Sequence, residues 1–112
     1  MTANRRRGEI AAELDGKTYR LCLTLGALAE LEAAYAADDL GALVERFSRG
    51  RLSALDMIRI IGAGLRGAGN DISDDDVGGM QAANGATGFA GIVSDLLTTT
   101  FGTAQGEPSP NP

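Results

Sequence analysis

Residues 21–32 read LCLTLGALAELE, and this stretch decides the fold because a strand pattern changes to a helix pattern within it. Thr24 stands at the change and is followed by leucines at helical spacing, with Tyr35 one further turn along. A threonine hydroxyl can accept a hydrogen bond from a free amide of the first helical turn. The stretch therefore predicts a strand that ends near Leu23 and a capped helix over residues 25–36. We expect Leu25 and Leu28 to face the core, so that Leu25→Asp would unfold the domain.

Upstream of this stretch, Asp15-Gly16 separates two short runs in which apolar and polar residues alternate. This dipeptide in such a context is the strongest short-range signal of a two-residue hairpin turn. The predicted register pairs Leu14 with Lys17, and it places the apolar residues of both strands on one face. Because an isolated hairpin is only marginally stable in water, helices or another subunit must cover that face.

Downstream, capping residues and apolar spacing predict four more helical segments. Asp38 or Asp39 can begin the second helix and Gly50 can end it. The third helix is predicted to begin after Ser53, and its core stripe is Leu55, Ile58, Ile61 and Leu65. A short fourth helix is predicted to begin after Ser73 and a last one after Thr87.

The predicted fold is α+β, with an N-terminal β-hairpin followed by four or five short α-helices in one small domain over residues 8–102. A chain of 112 residues is long enough for one modest core. Residues 1–7, which contain three consecutive arginines, are expected to form a flexible basic arm. Residues 103–112 lack core formers and carry three prolines, so we expect a disordered tail there.

The composition argues against an enzyme. The chain has no histidine, which is the commonest general base and zinc ligand. Its one cysteine, Cys22, lies in a predicted strand without a neighbouring base, so no catalytic residue is assigned. The acidic run at residues 71–76 lacks the spacing of a calcium loop and fits helix capping, so no metal site is assigned.

No cofactor is expected either. Gly62, Gly64 and Gly67 match the spacing of a dinucleotide-binding loop, but they fall late in a helical pattern instead of between a strand and a helix. Small residues there are better explained by close helix approach or by a helix end. The formal net charge of −5 argues against nucleic acid as a partner. No apolar run reaches the length needed to cross a membrane, and a lone cysteine fits a reducing cytoplasm.

With no reactive site in view, we expect the protein to act by binding other proteins. The candidate contact surfaces are the hairpin edge, exposed apolar residues of the first two helices, and the C-terminal tail, with Ile60 off the stripe of the third helix as a further candidate. These partner-binding candidates are Leu25, Leu28, Tyr35, Phe47 and Ile60. The pattern does not separate core positions from contact positions, and a homo-oligomer is compatible with it.

Several segments of this chain resemble the small tail-assembly-chaperone family of gene transfer agents and related prophages. The resemblance rests on the hairpin, on residues 23–32 (LTLGALAELE), on residues 64–69 (GLRGAG) and on Leu96-Leu97. It covers residues 8–102 and contains no catalytic motif.

This resemblance implies a tail assembly chaperone in the cytoplasm of a bacterial host cell. It would bind the tape-measure protein and tail-tube subunits transiently, without remaining in the finished phage-like particle. One alternative is a structural tail component, although tubes are built from paired sheets and one hairpin supplies little β-structure. Another is a small regulatory or DNA-binding module that uses the arginines of the N-terminal arm.

Overall fold

The structure, a computed structural model, describes residues 3–49 and 51–102. A two-stranded antiparallel hairpin is followed by five helices that pack with it around one core. The elements are β1 (Glu9–Leu14), β2 (Lys17–Cys22), α1 (Leu25–Tyr35), α2 (Leu40–Ser48), α3 (Ala54–Gly67), α4 (Asp74–Gly78) and α5 (Gly85–Phe101). The α+β prediction of a hairpin followed by four or five helices is confirmed.

The hairpin has the predicted register, in which Leu14 pairs with Lys17 and Ile10 with Leu21. Asp15 and Gly16 both have positive φ angles, 54° and 77°, as the two central residues of a type I′ hairpin turn require. Asp15 also fixes the turn to the rest of the chain. Its amide donates to the Gln81 carbonyl at 2.8 Å, and its carboxylate accepts from the Gln81 amide at 2.8 Å.

Four helices begin at predicted capping residues. The Thr24 hydroxyl accepts from the Ala27 amide at 3.1 Å, and the Asp39 carboxylate accepts from the Ala42 amide at 2.8 Å. Ser53 and Ser73 each form a reciprocal capping box with an aspartate three residues on. These side chains satisfy amides that the first turn of a helix leaves without backbone partners.

The start of α5 differs from the prediction that Thr87 caps it. The helix begins three residues earlier, at Gly85, and follows Asn84 without a side-chain cap. Asn84 and Gly85 both adopt positive φ angles, 69° and 56°, which these two residue types tolerate better than most. The left-handed backbone of these two residues therefore changes the direction of the chain before α5. The sequence analysis expected a capping hydroxyl at this point instead.

Helix α3 lies at the centre of the domain and contacts β2, α1, α4 and α5. Because neighbours cover it on several sides, burial near its middle extends beyond a single stripe. Ile60, expected off the core stripe and available to a partner, is fully buried. The exposure expected of this side chain is not found, because more than one face of the helix is covered.

Two leucines assigned to the core are exposed. Leu25 is 77% exposed and Leu55 is 52% exposed. Each lies in the first turn of its helix, at the edge of the packed region, where helical spacing continues but no neighbouring element covers the side chain. Leu28, one turn further along α1, is buried as predicted.

Glycines let α3 approach its neighbours closely, as the sequence analysis expected. A β-carbon at Gly64 would lie 2.8 Å from Leu96 Cδ2, and one at Gly67 would collide with the carbonyl oxygen of Cys22. A β-carbon at Gly62 would collide with the Asp74 carboxylate. The glycine spacing that imitates a nucleotide-binding motif therefore serves helix packing.

The described part of the N-terminal arm lies against the domain. Arg5–Arg7 form a short 3₁₀ turn, and Arg5 pairs with Asp95 and donates to the Thr99 hydroxyl at 3.0 Å. Gly50, the predicted end of α2, and the predicted tail at 103–112 lie outside the described residues. Among the described helices, none combines the length and apolar character that a membrane crossing requires.

Candidate partner-binding site

An apolar groove of about 390 Å³ opens between α3, α4 and the start of α5. The three elements converge because α4 runs back along α3, with Gly78 beside Ile58. The groove is lined by Ala54, Met57, Ile58, Ile61, Val77, Gly78, Met80, Ala86 and Phe89. Methionine and phenylalanine side chains line it, and methionine adapts readily to the shape of what it contacts. A concave apolar surface with these residues suits side chains of a protein partner.

The other side of α3 carries a polar cluster around Asp56, which is the only buried charged residue of the described part. The Tyr35 hydroxyl donates to Asp56 Oδ1 at 2.6 Å, and the Ser53 amide donates to Oδ2 at 2.8 Å. The Arg46 guanidinium lies 3.7 Å from the same carboxylate and 4.3 Å from the centre of the Tyr35 ring. Hydrogen bonds and a cation together compensate the buried charge, as burial of a carboxylate requires.

Burial and hydrogen bonding shift the pKa values of both partners in this cluster. Burial, followed by the hydrogen bond to Asp56, raises the pKa of Tyr35 to about 12. Burial alone would raise the pKa of Asp56, but hydrogen bonds from Tyr35 and Ser53, with Arg46 nearby, bring it below its usual value. Tyr35 is therefore a neutral donor and Asp56 an ionised acceptor at neutral pH. The cluster ties α1, α2 and α3 together.

The five predicted contact residues do not form one surface. Leu28, Phe47 and Ile60 belong to the buried core, and Tyr35 is half-buried with its ring edge-on to Phe47 at 5.4 Å. Only Leu25 is widely exposed, and it is not among the residues that line the groove. That these five residues contact a partner stays a prediction. Only Leu25 has the exposed apolar surface that such a contact needs.

The groove was missed as a site because Ile58 and Ile61, which line it, were assigned to the core stripe of the third helix. Val77, Met80 and Phe89 do point inward, but α4 is too short to close the space over α3. One available signal was Met80 directly after Gly78-Gly79, since methionine and glycine make an adaptable and loosely filled region.

Cys22 is half-buried, and its thiol donates to the Arg7 carbonyl at 3.6 Å. Burial raises the pKa of this thiol, with a smaller contribution from Glu9, so it is less reactive than an ordinary cysteine. Within residues 3–49 and 51–102, no group of three or more histidine, cysteine or acidic side chains is placed to hold a metal ion.

These features define the class of protein: a small hairpin-and-helix domain whose prominent surface feature is an apolar groove. Residues 7–103 match a protein family described as "Phage tail tube protein, GTA-gp10". The match spans nearly the whole domain, and the chain belongs to this family of phage tail proteins. No curated protein and no solved structure matches the chain.

Proposed function

We propose that the protein is a structural component of a phage-like tail, which binds neighbouring tail subunits, including copies of itself. The observation that carries the proposal is the family match, which covers the domain from the N-terminal arm to the end of α5. In this proposal the protein binds other tail proteins and catalyses no reaction, and neither a cofactor nor a membrane takes part.

The surface of the domain supports such a role. The groove offers apolar contact area on one side of α3, and Leu25, Leu40 and Leu55 are large apolar residues exposed elsewhere. A concave apolar groove on a protein surface is typical of a binding site for another protein. A tail subunit needs contact surfaces of this kind toward more than one neighbour.

The composition of purified particles tests the proposal. We expect quantitative mass spectrometry of intact phage-like particles, after removal of loosely bound protein, to find this chain in several copies per tail. Its absence from finished particles, together with its presence in extracts of assembling cells, would contradict a structural role.

The groove can be tested by filling it. Gly78 lines the groove, and a β-carbon there would meet Ile58 at an ordinary 3.7 Å, so Gly78→Leu should fold and occupy the space. Gly91→Leu adds the same side chain to an exposed helical site with nothing within 4 Å and is the matched control. We expect incorporation into particles to fall for Gly78→Leu only; equal incorporation of both variants would exclude the groove as a subunit contact.

A second candidate is a tail assembly chaperone that binds the tape-measure protein and tail-tube subunits in the cytoplasm of the bacterial host cell. One observation favours it: the only sheet of the described residues has two strands, whereas a tube wall is built from paired sheets. The same particle analysis separates the candidates. A chaperone would be captured with a tape-measure fragment during assembly and would be missing from the mature tail.

A further inference from the structure

Arginines converge at the junction between α2 and α3, although the protein as a whole is acidic. A pocket of about 160 Å³ is lined there by Arg46, Arg49, Arg51, Leu52 and Asp56. Arg46 already has partners within the domain, because its guanidinium lies over the Tyr35 ring and close to the Asp56 carboxylate. Arg49 and Arg51 are exposed, and neither forms an ion pair within the described residues. Two guanidinium groups are thus available at the mouth of the pocket.

The acidic segment before and within α4 has the opposite character. Asp74 pairs with Arg66 at 3.0 Å, and Asp76 accepts from the Ser73 amide at 3.0 Å, so both carboxylates have partners in the domain. Asp71 and Asp75 are exposed and form no ion pair in the part of the chain that the structure describes. Two carboxylates are thus available on this segment.

The two charged surfaces lie on different faces of α3. The pocket adjoins Asp56, while the acidic segment adjoins Gly62, six residues further along the helix. Six residues correspond to about 9 Å along the axis and to a rotation of about 120° around it. A contact between one surface and the other on a second molecule joins two different patches, and where each copy uses its two patches toward different neighbours, such contacts build rings or stacks.

We infer that the arginine pocket at the α2–α3 junction binds the acidic α4 segment of a second copy of this chain. Two guanidinium groups meet two carboxylates, a pairing that forms strong and directional hydrogen bonds. The inference rests on the proposed structural role, since it names the surfaces by which copies would associate. Charge complementarity selects this occupant, because the acidic segment supplies as many free carboxylates as the pocket supplies free arginines.

Sedimentation velocity of the full chain tests this inference. We expect concentration-dependent association at about 50 mM salt that is lost at about 500 mM, because salt screens exposed charges. Arg49→Glu/Arg51→Glu should weaken association at least about tenfold, and so should Asp71→Arg/Asp75→Arg. An equimolar mixture of the two variants should associate again, because each then offers the surface that the other needs. Circular dichroism checks that both variants fold, and the neutral pairs Arg49→Gln/Arg51→Gln and Asp71→Asn/Asp75→Asn replace them if either does not.

Arg6→Glu/Arg7→Glu is the matched control, since it changes the net charge by the same amount as the pocket variant but lies in the N-terminal arm. It should associate like the unmodified chain. The inference is overturned if the unmodified chain is monomeric at low salt, if the mixture stays monomeric, or if the control loses association equally. Retention on DNA that depends on Arg49 and Arg51, without self-association, would also overturn it. A protein that is monomeric in solution yet abundant in particles would overturn this inference and leave the structural role standing.

Discussion

The two halves of α3 differ in how tightly they are packed. The second half, from Ile61 to Gly67, is pressed against β2 and α5 through glycines that leave no room for a β-carbon. The first half borders the apolar groove on one side and the arginine pocket on the other. One helix thus acts as the scaffold of the core at one end and presents binding surfaces at the other. Mutations should have large effects on stability at the second half and smaller ones toward the first.

Among substitutions that place no charge in the core, the largest effect on stability is expected for Gly67→Ala. Its new β-carbon would collide with the carbonyl oxygen of Cys22, a backbone atom that moves only if the strand moves. We expect a loss of about 3 kcal/mol in the free energy of unfolding, measured by urea denaturation. Gly91→Ala, an exposed helical position with nothing within 4 Å, should instead stabilise by about 0.5–1 kcal/mol. Equal results for the two variants would mean that α3 is not tightly packed against β2.

Asp56→Ala should have the next largest effect, a loss of about 2 kcal/mol. The substitution removes half of a capping box and leaves the Tyr35 hydroxyl without its acceptor. Asp76→Ala, which opens the equivalent but exposed capping box of α4, should cost clearly less. Because the pKa of Asp56 is lowered by folding, its contribution is complete above its ordinary value of 3.8 and declines as the pH falls through the lowered pKa. A variant as stable as the parent at neutral pH would contradict this account.

A smaller effect is expected at alkaline pH from Tyr35. Folding raises the pKa of Tyr35 from 10.0 to about 12, so the neutral phenol stabilises the folded state below pH 10. This contribution should decline as the pH rises from about 10 to about 12. Urea denaturation at pH 8 and pH 11 measures it. The stability difference between the parent and Tyr35→Phe should narrow at the higher pH, and a constant difference would contradict the predicted shift.

The smallest effect is expected at Leu25, where the sequence analysis predicted unfolding. Leu25 is 77% exposed, so Leu25→Asp should change stability by no more than about 0.5 kcal/mol. An aspartate at the first position of a helix is also favoured by the helix dipole. Leu28→Asp, one turn along the same helix and buried, should abolish folding as judged by circular dichroism. Unfolding by both substitutions would restore the original prediction.

The parts of the fold that depend only on residues adjacent in the sequence were predictable. The turn at Asp15-Gly16 set the hairpin register, and Thr24, Ser53 and Ser73 marked where helices begin, because turns and caps are determined within a few residues. Burial of Ile60 and exposure of Leu25 depend on how many elements surround each helix, which helical spacing does not encode. The groove and the arginine pocket form between elements that are distant in sequence, so the candidate site could not be predicted. Family membership was predictable in part, because residue patterns indicated a phage tail protein but favoured a chaperone within that class.

The packing of the first strands against the last helix has a consequence for how the protein is made. Leu21 of the hairpin and Leu96 of α5 meet over Gly64, and Arg5 reaches Asp95 across most of the chain. Ribosomes deliver the N-terminus first, so the part of the hairpin's apolar face that α5 covers remains uncovered until α5 has been synthesised, even where α3 already covers β2. The domain can therefore be completed only after α5 has been synthesised, and a chain released before Leu96 would present this part of the hairpin face to other proteins in the cell.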